Sequence, residues 1–291
     1  MDNVTVRNGD IAINVVVAGS GPLILCVHGW PELSYSWRHQ QAFFARQGYT
    51  VAAMDVRGYG GSSKPDAIAA YTMRNLASDV AAVIDALGGG PDSGRAILFG
   101  HDWGAPIVWN SAMLYPDKVT AVAGLSVPHI PVGGASFLTA AKSIYADKFF
   151  YQLYFQAEGV PEAEFGTDLR TALRKTYYSI SGDAPADLML TAKPADATFL
   201  DGLIDPETFP AWMSAADMQH YVDAFAAGGM RGPFNRYRAQ DLDFAEIGDL
   251  AGRRIAQPSF FVAGDRDPVR RFLPGVDLYA DPGAACDDFR G

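Results

Sequence analysis

Arg95-Ala-Ile-Leu-Phe-Gly-His-Asp-Trp-Gly-Ala-Pro106 is the stretch of this sequence that decides its fold. The apolar run from Ala96 to Phe99 predicts a buried strand, and Ala105 to Leu114 predicts a helix. Glycines stand two residues to either side of Asp102, which suits a sharp strand-to-helix turn because larger side chains would collide there. Such a turn presents the Asp102 side chain above the sheet edge, where the helix amides favour its ionised form. An ionised carboxylate in this position is a competent nucleophile.

The rest of the chain alternates strands and helices, which predicts an α/β fold with a doubly wound, mostly parallel sheet. Taken alone, the glycine-rich turn is equally compatible with an Asp102 that is an ordinary solvated residue. The role of Asp102 therefore depends on this wider pattern. The predicted elements, in chain order, are a hairpin of Val4–Arg7 and Ile11–Val17, a strand at Leu23–His28, a helix at Trp37–Gln47, a strand at Thr50–Met54, a helix at Met73–Leu87 that Gly88–Asp92 stops, and strands at Val119–Val127 and Pro258–Ala263.

The alternation fails over residues 129–243, where helical sequence rich in aromatic residues takes over. We interpret this segment as a helical lid inserted after the sixth strand. The α/β core then consists of residues 1–128 and 244–291. Ligands bind such folds at the carboxyl ends of the strands, which is the edge where Trp30, Asp102 and Pro128 emerge.

Composition excludes several classes of protein. The net charge of −10 over 291 residues, with no basic patch, argues against a nucleic-acid partner. Cys26 and Cys286 have no motif spacing, so they predict neither a disulfide framework nor a metal site. The N-terminus does not resemble a signal peptide, and no apolar run is long enough to span a bilayer, so we expect no membrane association and a cytoplasmic location.

Four motifs, taken together and in this order, resemble the α/β-hydrolase fold family across essentially the whole chain. They are His28-Gly-Trp-Pro31, Asp55-x-Arg-Gly-Tyr-Gly-x-Ser62, the turn around Asp102, and Gly264-x-x-Asp267. Esterases of this family use Ser or Cys at the turn, so an aspartate there narrows the resemblance to the epoxide hydrolase and dehalogenase branch. This branch works without a metal or cofactor, and its members commonly have a cis peptide before the proline of the first motif.

Two segments of the lid resemble those of soluble epoxide hydrolases. They are Phe150-Tyr-Gln-Leu-Tyr-Phe-Gln156 and Arg231-Gly-Pro-Phe-Asn-Arg-Tyr-Arg238. The resemblance implies that Tyr151 and Tyr237 hydrogen-bond the epoxide oxygen and protonate it while Asp102 attacks carbon, although packing alone could explain a tyrosine in an aromatic lid. Arg236 departs from the pattern, since an apolar aromatic residue is frequent at that position. The resemblance thus implies hydrolysis of an epoxide to a vicinal diol, with a role in detoxification.

Breakdown of the resulting ester needs an oxyanion hole and an activated water. The backbone N–H groups of Trp30 and Trp103 are expected to form the oxyanion hole. The family places a histidine base after Asp267, which orients its ring. In this sequence no histidine follows His220. We expect structural roles for His28, which should pack beneath the turn, and for His101, whose side chain should point into the fold.

Residues 271–291 have the composition of a loop, so we interpret them as the lead-in to a missing last strand and helix of a truncated protein. We therefore expect impaired hydrolysis of the ester. An exposed sheet edge would also favour aggregation or a homodimer.

The sequence leaves two alternatives open. A haloalkane or haloacid dehalogenase would use the same Asp102 nucleophile and release halide. A non-catalytic relative would bind a ligand without covalent modification. The aromatic residues of the lid favour a small apolar substrate, but the sequence does not name the epoxide.

Overall fold

The computed structural model describes residues 1–88, 94–186 and 188–291. Within these ranges, eight strands form one sheet in the order β1-β2-β4-β3-β5-β6-β7-β8. Strand β2 pairs antiparallel with both β1 and β4, and all other neighbouring strands pair parallel. The strands are β1 (Asp2–Asn8), β2 (Ile11–Gly19), β3 (Leu23–Val27), β4 (Thr50–Met54), β5 (Ala96–His101), β6 (Val119–Leu125), β7 (Ile255–Val262) and β8 (Cys286–Phe289).

Helices cover both faces of the sheet. The described helices are α1 (Arg38–Arg46), α2 (Met73–Leu87), α3 (Gly104–Leu114), α4 (Phe137–Ile144), α5 (Tyr151–Tyr154), α6 (Val160–Thr167), α7 (Leu169–Ser179), α8 (Ala215–Gly228), α9 (Arg231–Arg238) and α10 (Gln240–Glu246). Short 3₁₀ helices lie at Ser34–Trp37, Ile68–Tyr71, Pro116–Lys118, Leu188–Leu190, Gly248–Leu250 and Pro268–Arg271.

The central strand β3 shows why the sheet is doubly covered. All five of its residues are buried, as expected for a parallel strand with helices on both faces. Successive side chains of a strand point to opposite faces. Ile24 and Cys26 therefore pack on the side of α1, whereas Leu25 and Val27 pack on the side of α2 and α3. The α/β class and the doubly wound sheet predicted from the sequence are confirmed.

The helices α4 to α10 all lie in the chain between β6 and β7, where the lid was predicted. The boundary at residue 243 falls inside α10, and the division into a core and a lid of residues 129–243 stays a prediction.

The glycine-rich stretch that was predicted to stop α2 begins at Gly88, which forms the C-cap of this helix. The rest of that stretch lies outside the described residues. Among the described residues, no helix is long and apolar enough to cross a membrane, and no cluster of His, Cys, Asp or Glu could hold a metal.

The prediction that the last strand is missing is wrong. Residues Cys286–Phe289 form β8, which pairs parallel with β7 at the edge of the sheet. Its sequence, Cys-Asp-Asp-Phe, contains two aspartates, which are depleted in strands. An edge strand tolerates them because one side of it faces solvent, so the local pattern did not reveal the strand.

Candidate active site

The turn between β5 and α3 has the tight geometry that its glycines predict. Asp102 has a φ of 50°, a left-handed conformation that is uncommon outside glycine and accumulates at functional sites. A Cβ added to Gly100 would lie 2.2 Å from the carbonyl oxygen of Gly104, and one added to Gly104 would lie 2.0 Å from that of Val27. Side chains at these positions would push the turn away from β3, so the two glycines let Asp102 stand above the strand ends.

Backbone amides hold the Asp102 carboxylate. The amide of Trp30 donates a hydrogen bond of 2.7 Å to Oδ1, and the amide of Trp103 lies close enough to the same carboxylate to lower its pKa. The peptide bond between Trp30 and Pro31 is cis, as the resemblance implied. Burial raises the pKa of Asp102 to about 6, although the positive charge of His101 and the two amides act in the opposite direction. The amides thus favour the ionised form as expected, but burial outweighs them.

Tyr151 and Tyr237 lie above Asp102, with their ring centroids 5.8 Å apart. The Nε2 of Gln152 donates to the Tyr151 hydroxyl at 2.9 Å, and the indole of Trp103 packs edge-on against the ring of Tyr237. Among the described residues, neither phenol hydroxyl donates a hydrogen bond. Burial raises the pKa of both phenols above the usual range, so each stays neutral and keeps its proton.

A cavity of about 310 Å³ brings the predicted side chains together. Asp102, Tyr151, Tyr237 and Asp267 all border it, and Trp30 forms part of its wall. A second cavity of about 320 Å³ shares several apolar lining residues with the first, namely Tyr151, Met189, Phe199 and Phe272. The reactive groups therefore face a largely apolar space that extends beyond the carboxylate.

Asp267 follows β7 at the carboxyl edge of the sheet, where the sequence placed it. Its Oδ1 accepts a hydrogen bond of 2.9 Å from the amide of Val269, and its carboxylate also contacts the hydroxyl of Tyr279. Tyr279 in turn donates to the carbonyl oxygen of Ser126 at 2.6 Å. Among the described residues no histidine hydrogen-bonds Asp267, so the partner that the resemblance implies is not found beside it.

Sequence reasoning missed a charged pair beside Asp102. His101 Nδ1 lies 2.9 Å from Oε2 of Glu32, and both residues border the cavity. Burial alone would lower the pKa of His101, but the charge and hydrogen bond of Glu32 raise it to about 9. Burial likewise opposes the ionisation of Glu32, yet His101 holds the pKa of that carboxyl at about 2. The pair is therefore ionised at neutral pH.

The expectation that the His101 side chain points into the fold is wrong. Its side chain is 41% exposed and turns toward the cavity, because the reversal at Asp102 begins at this residue. His28 does have the structural role expected of it. It is buried, and its Nε2 accepts a hydrogen bond of 3.0 Å from the amide of Val56. The position of Glu32 directly after the first motif was the available signal for the charged pair.

Comparisons with known proteins agree with this geometry. A family model described as alpha/beta hydrolase fold matches residues 22–270. Epoxide hydrolase A of Mycobacterium tuberculosis is 41% identical over 271 residues, which cover 92% of this chain and 83% of that protein.

Solved structures show the same similarity. Epoxide hydrolase A from Mycobacterium thermoresistibile superposes with a TM-score of 0.91 at 38% identity, covering 99% of this chain and 89% of that one. An epoxide hydrolase from an endophytic Streptomyces gives a TM-score of 0.91 at 38% identity, covering 100% of this chain and 86% of that one.

Proposed function

Since the chain belongs to the α/β-hydrolase fold family, among its epoxide hydrolases, we propose that it opens epoxides to vicinal diols through an ester on Asp102. The observation that carries this proposal is the meeting of one carboxylate and two neutral phenols in a single apolar cavity. A strained cyclic ether needs a nucleophile for carbon and an acid for oxygen, and these groups supply both.

In the first step, Oδ2 of Asp102 attacks one epoxide carbon. A C–O bond forms, the ring C–O bond breaks, and its electron pair moves to the epoxide oxygen. Tyr151 or Tyr237 gives that oxygen its proton. Because the Trp30 amide already holds Oδ1, the attacking oxygen is left free and Oδ1 becomes the carbonyl oxygen of the ester.

In the second step, water adds to the ester carbonyl carbon and negative charge develops on Oδ1. The amides of Trp30 and Trp103 stabilise this charge. Collapse of the intermediate breaks the bond between the carbonyl carbon and Oδ2, and the alkoxide that leaves takes up the proton that the base removed from water, which completes the diol. The new carboxyl group then gives its proton to the tyrosinate left by the first step, which restores both the Asp102 carboxylate and the phenol. We propose that Asp267 orients the base that takes the proton from water. No histidine follows His220 in the sequence, so for the polypeptide of residues 1–291 we expect slow ester hydrolysis.

The geometry favours an epoxide over a halide substrate. A dehalogenase would need N–H donors for the leaving halide, whereas the groups that border the cavity above Asp102 include the two phenols of Tyr151 and Tyr237. Two phenols are also better suited to protonate an oxygen than to receive a halide. The apolar walls of the two cavities support a small apolar epoxide as the substrate.

The test is the intact mass of the polypeptide after incubation with excess styrene oxide. We expect an adduct of one substrate mass, or the diol in solution if the ester is hydrolysed. The Asp102→Asn variant is the matched control, because it keeps the shape of the side chain and removes the nucleophile. A folded wild-type sample that gives neither adduct nor diol contradicts the proposal, and halide release from a chloroalkane would then favour the dehalogenase alternative.

Other sequence predictions stay proposals. The outer face of β7 exposes Phe260 and Val262, each 45% exposed, which supports the predicted association into a homodimer. Size-exclusion chromatography with light scattering tests this, and a clean monomer contradicts it. The lid of residues 129–243, the absence of a nucleic-acid partner and the cytoplasmic location likewise remain predictions.

A further inference from the structure

Arg236 is a buried cation next to the proposed acid Tyr237, and only 3% of the residue is exposed. Its guanidinium pairs with the carboxylate of Asp243 and donates to the carbonyl oxygen of Tyr71. Its Nε is buried without a hydrogen-bond partner among the described residues. A buried charge costs stability unless it is fully paired, so its incomplete pairing calls for an explanation beyond packing.

This guanidinium lies over the ring of Trp103. The Arg236 Cζ is 4.7 Å from the ring centroid, within the range of a cation–π interaction. The same indole meets the ring of Tyr237 edge-on, with 5.3 Å between centroids. Arg236 thus holds the indole that packs against Tyr237.

The cation is itself anchored on the α/β core. The other carboxylate oxygen of Asp243 accepts a hydrogen bond of 2.5 Å from the amide of Met73, the first residue of α2. A Cβ added to Gly232, on the same helix as Arg236, would lie only 2.6 Å from the Cα of Gly58. Helix α9 is therefore held tightly against the core that carries Asp102.

We propose that Arg236 is a positioning residue for Tyr237 and acts through Trp103. By clamping the indole, it holds the ring of Tyr237 in place, so the phenol proton remains directed into the cavity toward the epoxide oxygen. This inference rests on the proposed function. Arg236 acts in the ester-forming step but does not itself contact the substrate.

The test is a set of double-mutant cycles on the rate of ester formation, followed by rapid quenching and intact mass with styrene oxide. Arg236→Gln should slow ester formation about tenfold, with little change in the half-saturating concentration. In a Tyr237→Phe background the same substitution should add less than about a twofold loss, because the group it acts on is gone. In a Tyr151→Phe background it should keep its full effect.

Arg238→Gln is the matched control, because Arg238 is a second buried cation on α9 that pairs with Glu162 and does not contact Trp103. Arg238→Gln should lower the melting temperature, and its effect on the rate of ester formation should be the same with and without Tyr237. If Arg236→Gln does not fold, Arg236→Lys enters the same cycles, because it keeps a cation beside Asp243 and removes the guanidinium from the Trp103 ring.

Two outcomes overturn the inference. One is an unchanged rate in a folded Arg236 variant, and the other is an equal loss with and without Tyr237. If the wild-type polypeptide forms no ester at all, the proposed function fails instead, so the two failures are distinguishable.

Discussion

The amide of Trp30 donates to Oδ1 of Asp102 at 2.7 Å, although the two residues lie 72 positions apart in the chain. The loop after β3 comes this close because residue 29 is glycine. A Cβ on Gly29 would lie 2.4 Å from both the Cβ and the Oδ1 of Asp102. The donor that we propose for the developing oxyanion is therefore in place before any substrate binds.

Gly29→Ala should disrupt this contact. We expect the free energy of unfolding to fall by about 1–3 kcal/mol, because the added methyl has no space, and ester formation to slow with it. Chemical denaturation and the mass assay measure the two effects. Gly166→Ala in helix α6 is the control, since its Cβ would meet nothing within 4 Å and should leave ester formation unchanged. A fully stable and active Gly29→Ala variant contradicts the close approach.

Tyr151→Phe and Tyr237→Phe should each slow ester formation by about 100-fold, because each removes a proton donor for the epoxide oxygen. Stopped reactions analysed by intact mass give the rate. Tyr154→Phe is the matched control, because the hydroxyl of Tyr154 donates to Glu164 and the residue does not border the reactive cavity. An equal loss in all three variants would show that the effect comes from lid packing and not from proton donation.

The rate of ester formation should depend on pH through Asp102. Burial raises its pKa to about 6, and only the ionised form attacks carbon. We expect a plateau above pH 6 and a decline of about tenfold per unit below it. Rapid-quench measurements across this range test the prediction, with circular dichroism at each pH to confirm that the protein is folded. A midpoint near that of an exposed aspartate, about 3.9, contradicts it.

His101→Gln should move this midpoint upward by about one unit. Burial raises the pKa of Asp102, and the positive charge of His101 lowers it. Removal of this charge should therefore let the pKa of Asp102 rise further. The measurement is the same pH profile on the variant. His220→Gln, which changes a histidine stacked on Tyr35 away from the cavity, should leave the midpoint in place. A downward shift in His101→Gln would refute this account of the charges.

Asp102→Asn should stabilise the protein at neutral pH. The pKa of Asp102 is higher in the folded state than in the unfolded chain, so ionisation opposes folding above about pH 6. We expect a gain of about 1–3 kcal/mol at pH 7.5, partly offset because His101 loses a nearby anion. Below about pH 4 the aspartate is protonated in both states, and the gain should vanish. Urea denaturation at the two pH values tests this, and a gain independent of pH would point to another cause.

The sequence alone determined the elements that depend on local pattern. The β-strand Thr50–Met54 and the helix Met73–Leu87 have the predicted bounds, because each has a continuous apolar run or a clean helical period. The position of Asp102 in a sharp turn also followed from its flanking glycines. The roles of Tyr151, Tyr237 and Asp267 remain predictions, and the structure brings their side chains to one cavity.

Only the tertiary structure decided the features that depend on distant neighbours. Strand β8 forms because β7 offers it a pairing edge, despite its aspartates. The pairing of His101 with Glu32 and the contact of the Arg236 guanidinium with the Trp103 ring each join residues that are far apart in the chain. The pKa of Asp102 likewise depends on burial that no local pattern records. Apolar periodicity is a local property of the chain, whereas desolvation and charge pairing arise only when separate segments meet.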